Sequence, residues 1–144
     1  YITSKNAFEA EFQKSDNAGF AALDVKSIVG TIKNSGKKGR TFVLSSDASY
    51  LYRELDERPF PRYTTAVYYY AIITPRGAHE DLLQNLKDSH WIVIQSNDNR
   101  PGFYGHDKSS WESVKSDSAA FHYISNNFNQ IAVSGALILF ERNK

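Results

Sequence analysis

Cysteine and methionine are both missing from the 144 residues of this chain. Without thiols, a disulfide framework and a thiolate metal site are excluded. That absence fits an oxidising compartment without requiring one. Long apolar runs are missing too: none approaches the ~20 residues that a membrane-spanning helix needs, and no signal peptide opens the chain. Net charge is only +1, and the densest basic cluster, Lys37-Lys38-Gly39-Arg40, is short. Binding driven by phosphate neutralisation needs a stronger basic bias, so nucleic acid is not an expected partner. Neither G-x-G-x-x-G nor G-x-x-x-x-G-K-[ST] occurs, and no nucleotide or other cofactor is expected. His79, His90, His106 and His122 form no H-x-x-x-H or H-x-H pair, so no metal site is expected either.

What is present suits one folded domain spanning 1–144. The length is enough to bury a single core without staples. Aromatic residues make up 14% of the chain, an excess that suits a thick core and equally suits stacking against sugars. Tyr1 stands where an initiator Met would, which predicts an excised or processed piece with any membrane segments upstream.

Apolar spacing organises the elements. Phe8 and Phe12 stand one helical turn apart behind Asn6, predicting a helix over Asn6–Lys14. Val25, Ile28, Val29 and Ile32 follow the i, i+3, i+4, i+7 pattern behind a capping Asp24, and Asn34-Ser35-Gly36 closes that helix. Thr41–Ser45 reads as a strand and Ala48–Glu57 as a helix capped by Ser46 or Asp47, with Pro59 and Pro61 barring its extension. Thr64–Thr74 is β-branched and aromatic on both faces, which predicts a strand buried within the sheet. Leu82, Leu83 and Leu86 mark a helix over Gly77–Asp88, and the apolar run His90–Gln95 reads as a central parallel strand. Ser96–Ser110 reads as loop. A helix over Ser118–Asn126, capped by Ser116 or Asp117, precedes a hairpin of Asn129–Val133 and Ala136–Glu141 about Ser134-Gly135. The succession predicts an α/β fold: a three-layer Rossmann-like sandwich with a mostly parallel sheet and a C-terminal antiparallel hairpin.

In such a fold, ligands enter at the carboxyl ends of the parallel strands. Ser45-Ser46-Asp47 and Gln95-Ser96-Asn97-Asp98 fall there, with Arg100 just beyond. Ser46, Asp47, Asn97, Asp98 and Arg100 are therefore the candidate ligand-binding residues, suited to hydrogen bonding with sugar hydroxyls. The same residue types serve equally as helix caps and turn formers. A second cluster, Arg100, Tyr104, His106, Asp107 and Glu112, holds the acid, base and cation that a small secreted ribonuclease or hydrolase would use. A faint local likeness to microbial ribonucleases, in YITSKNAFEA and KSIVGTIKNSGKKGRT, stops at Thr41. The run Arg53-Glu54-Leu55-Asp56-Glu57-Arg58 reads as a solvated helix face.

The stretch Gly39 to Tyr63 (GRTFVLSSDASYLYRELDERPFPRY) carries a wider likeness. Its apolar strand, polar turn, aromatic helix and proline-broken exit resemble the soluble C-terminal domain of polytopic membrane glycosyltransferases. These are the GT-C type, the polyprenyl- or dolichyl-phosphate-sugar mannosyltransferases and aminoarabinose transferases. The likeness runs from about Asp24 to the end, through Val25–Lys33, Phe42–Ser45, Ala48–Tyr52, Arg58–Tyr63, Leu82–Ile94, Ala119–Asn126 and Gly135–Arg142. The 97–110 loop and the Phe8/Phe12 segment lie outside it. The resemblance implies a non-catalytic domain on the extracytoplasmic side, anchored through its parent protein and helping to position the acceptor. Its implied partners are the transmembrane portion of the same polypeptide and a glycan or lipid-linked sugar. The family's catalytic acid lies near its first membrane helices, so no catalytic residue is implied on this chain. A stand-alone glycan-binding module and a small secreted ribonuclease or hydrolase remain the alternatives.

Overall fold

The computed structural model of this chain describes residues 22–46, 48–60, 77–99 and 107–144. The expected helix at Asn6–Lys14 and the expected strand at Thr64–Thr74 lie outside the described residues. Helix α1 (Ala22–Asn34) buries Val25, Ile28, Val29 and Ile32, the stripe that the spacing predicts. Asp24 does not cap it: the helix already runs through Ala22, and Asp24 Oδ1 instead accepts from Ser134 Oγ at 2.9 Å. The helix is closed at Gly36, whose φ of 68° is the left-handed conformation open to glycine at little cost.

Strand β1 (Thr41–Leu44) is buried throughout and leads into helix α2 (Ala48–Leu55). Helix α3 (Ala78–Asp88) precedes β2 (Trp91–Gln95), which is also buried along its length. Helices α4 (Ser110–Ser116) and α5 (Ser118–Asn127) then follow, and the chain closes with strands β3 (Phe128–Ser134) and β4 (Leu137–Arg142). The sheet order is β1-β2-β4-β3. Strands β1 and β2 pair in parallel, Thr41 beside Trp91 and Leu44 beside Ile94, while β4 runs antiparallel to both β2 and β3. The described sheet is therefore mixed, with one parallel pair, rather than mostly parallel. β2 is central, as its unbroken apolar run implies, but only one of its two neighbours is parallel.

Among the described residues β1 pairs with a strand on one side only, and its other edge explains part of this difference. Successive residues of a strand point their N–H groups to opposite sides, and Arg40 O is turned toward the chain entering β2. Thr41 N–H and Val43 N–H therefore point away from β2. They donate to Glu57 Oε1 and to Tyr52 Oη, each at 2.9 Å. Side chains from α2 and its exit thus satisfy the donors that a further strand would have taken. Glu57 belongs to the charge run read above as solvated, and it serves the sheet instead.

Alternation along the strands sends side chains to both faces, and helices cover each. Phe42, Leu44, Ile92 and Ile94 pack with residues of α3, α4 and α5. Val43, Trp91, Val93, Leu137 and Leu139 pack with α1 and α2. Strand β3 is the outer strand of the described sheet, bulged between Gln130 and Ala132, with Ile131 and Val133 exposed.

The β3–β4 turn is held by one close approach. Gly135 has φ of 55°, and a Cβ placed there would lie 2.3 Å from Asp24 Oδ2. Gly135→Ala is expected to lower stability by about 1–3 kcal/mol, from left-handed strain together with the displaced carboxylate. Urea unfolding checks it. Adding Asp24→Ala should recover the part of the loss due to contact and leave the backbone part; no recovery would mean that Asp24 is not the obstacle.

Candidate functional site

Parallel pairing of β1 and β2 brings their carboxyl ends side by side, so the two polar turns that follow them meet. Ser45 Oγ donates to Gln95 Oε1 at 2.5 Å, and Gln95 Nε2 donates to Asn97 Oδ1 at 2.8 Å. Ser45 and Gln95 are fully buried, which accounts for the polar ends of two otherwise apolar strands. Asn97 is half-buried beside them.

Asp98 is the centre of the cluster, with no exposed surface. Its Oδ2 accepts from Ser46 N–H at 2.9 Å, from Ser46 Oγ at 3.2 Å and from Ser110 Oγ at 2.5 Å. Its Oδ1 accepts from Ser110 N–H at 2.6 Å. One carboxyl group thus ties the turn after β1 to the first residue of α4, across twelve residues of sequence on one side and fifty-two on the other. A carboxyl with both oxygens engaged inside the chain and no exposed surface acts as a brace.

Of the five candidate residues, the structure brings Ser46 and Asp98 into direct contact and places Asn97 beside Gln95. Asp47 and Arg100 lie outside the described residues. In the second cluster, Arg100, Tyr104 and His106 also lie outside them; Asp107 and Glu112 are both exposed. His79, on the first turn of α3, meets Asp117 across 3.1 Å and so ties the start of α3 to the cap of α5. Among the described residues, no group of three or more metal-ligating side chains converges.

No family model, curated protein or solved structure matches this chain.

Helix α4 is the element that the loop reading of Ser96–Ser110 and its surroundings missed. Its signal was present: Ser109-Ser110-Trp111-Glu112 has the S-x-x-E spacing of a capping box. Ser109 Oγ accepts from Glu112 N–H at 3.1 Å, and Ser109 is completely buried. Asp117 then caps α5 by accepting from Ala120 N–H at 3.2 Å, as its position implied. The partnership of Ser110 with Asp98 left no such local trace. At the opposite end of the strands, Thr41 Oγ1, Trp91 Nε1 and His90 Nε2 are buried with no hydrogen-bond partner among the described residues.

Proposed function

We propose that this chain is a non-catalytic, extracytoplasmic domain of a polytopic membrane glycosyltransferase that uses a lipid-phosphate sugar donor. In this reading it packs against the transmembrane portion of the same polypeptide and helps to position the acceptor, a glycan or lipid-linked sugar. The finer fold reading, a three-layer Rossmann-like sandwich, belongs to the same proposal. It is supported by helices on both faces of the sheet and by the order of strand, turn and helix from Thr41 to Leu55.

One observation carries the non-catalytic part. Open α/β sheets admit ligands at the carboxyl ends of their parallel strands, and among the described residues the turn after β1 and the start of α4 are tied together there by hydrogen bonds centred on Asp98. A group that acts as acid, base or nucleophile must reach the reacting atom. Asp98 is fully buried and reaches Ser46 and Ser110. Transfer chemistry is accordingly assigned to the membrane helices.

The coding frame upstream of Tyr1 is expected to encode several apolar stretches of ~20 residues. The purified chain alone is expected to transfer no sugar from a polyprenyl-phosphate donor and to leave RNA intact. A frame with no such stretches, or RNA cleavage abolished by changing His106 and Glu112, would overturn the proposal.

A further inference from the structure

Basic residues that look dispersed along the sequence are gathered at one end of the fold. Arg40 O accepts from His90 N–H at 2.9 Å and from Trp91 N–H at 3.1 Å, and His90 O accepts from Arg142 N–H at 2.8 Å. Thr41 N–H reaches Glu57, and Lys37 pairs with Glu141. These bonds bring together the loop after α1, the exit from α2, the end of α3 and the C-terminal residues. Helices α1, α2 and α3 also finish with Lys33, Arg53 and Lys87 in their last turns.

The surface so formed displays Lys33, Lys38, Arg40, Arg58, Lys87 and Lys144, all exposed. Arg40 lies over the Phe60 ring, its guanidinium carbon 3.8 Å from the centroid, a cation–π contact that holds one cation in place. The acids here are fewer: Glu57 is engaged by the β1 backbone and Glu141 by Lys37, while Asp56 and Asp88 are exposed. The opposite end is the more acidic among the described residues, with Asp24, Glu80, Asp81 and Glu112 in the first turns of α1, α3 and α4 beside the exposed Lys26 and Lys108. Helix dipoles favour this arrangement, but Lys38, Arg40 and Lys144 belong to no helix and extend the basic end beyond what dipoles ask. Charge is thereby polarised among the described residues.

We propose that this basic end docks on an anionic phospholipid surface. Exposed, flexible lysines act as separate point charges. Such charges suit a plane of many headgroups, where each cation near the surface contributes and the attraction decays within a Debye length of about 10 Å at 0.1 M salt. The membrane attachment proposed above supplies that surface, so the inference rests on it.

The test uses the full 144-residue chain in co-sedimentation with vesicles of phosphatidylcholine alone and of phosphatidylcholine containing phosphatidylglycerol. Binding is expected only to the anionic vesicles and is expected to fall steeply with added salt. Lys38→Glu with Arg40→Glu is expected to weaken partitioning about ten-fold or more. Because Arg40 stacks on Phe60, Lys38→Glu with Lys144→Glu provides a second variant, with thermal unfolding as the control for both. Glu80→Lys, at the acidic end, should not weaken binding. Equal binding to both vesicles, no binding, indifference to charge reversal, or tighter binding to a DNA duplex at the same salt would each overturn the proposal. A coding frame without membrane spans would sink the glycosyltransferase reading while leaving the vesicle result to stand or fall by itself.

Discussion

Replacing Asp98 by Ala is expected to lower the free energy of unfolding by about 3–5 kcal/mol, the largest effect of any single change in the polar cluster. Two backbone N–H groups and two hydroxyls donate to this carboxyl, and removing it orphans them together. Leaving one buried donor unsatisfied costs about 1–3 kcal/mol. The hydroxyls can rotate toward other acceptors, but the N–H groups of Ser46 and Ser110 are fixed by the strand end and the start of α4. Asp98→Asn should cost less than Ala, because its carbonyl oxygen can still accept from Ser110 N–H and its amide can donate to the Ser46 and Ser110 hydroxyls, while Ser46 N–H loses its acceptor. Urea unfolding with coincident fluorescence and circular dichroism probes measures both. A loss below ~1 kcal/mol for Asp98→Ala would mean that water reaches these donors, and the case for a closed strand end would fall with it.

Arg142 carries the second large expectation. Its Nε donates to Ser89 O at 2.8 Å, and Nη2 donates to Leu86 O at 2.7 Å and to Lys87 O at 3.0 Å. Nη1 reaches Tyr123 Oη at 3.2 Å, and the guanidinium carbon lies 4.5 Å from the centre of the Phe128 ring. One side chain therefore satisfies the carbonyls that close α3 and places a cation at its negative end, while packing the last strand against α5. Arg142→Ala is expected to cost about 2–4 kcal/mol, and Arg142→Lys most of that, since an ammonium cannot reproduce the planar fork. Thermal unfolding of both variants measures the difference. Full rescue by Lys would show that charge rather than hydrogen-bond geometry holds the helix end.

The elements easiest to read were those whose signal is local and repeated. The stripe Val25, Ile28, Val29, Ile32 gave α1, and the uninterrupted run of β2 gave a buried strand. Ser134-Gly135 gave the hairpin turn, and the acids Glu80 and Asp81 with three leucines gave α3. Misreadings arose where a residue type has two uses. Asp24 looks like a cap from its neighbours, yet the β3–β4 turn, 110 residues later, claims its side chain. Glu57 looks like one more solvated charge, yet it accepts from the edge of β1. Asp98 has the composition of a ligand-binding turn, and its donors come from Ser46 and Ser110.

Sequence alone determined helices α1, α2, α3 and α5 and the buried strands β1, β2 and β4, because 3.6-residue and two-residue periodicity are properties of neighbouring side chains. It also determined the lack of thiol chemistry, since composition needs no fold to be read. Only the tertiary structure decided that the described sheet is mixed, that Asp98 is enclosed, and that Lys33, Lys38, Arg40, Arg58, Lys87 and Lys144 share one end. Those outcomes depend on which distant segments meet. Spacing along a chain carries little record of such meetings, because a hydrogen bond between residues fifty apart imposes no local pattern on either.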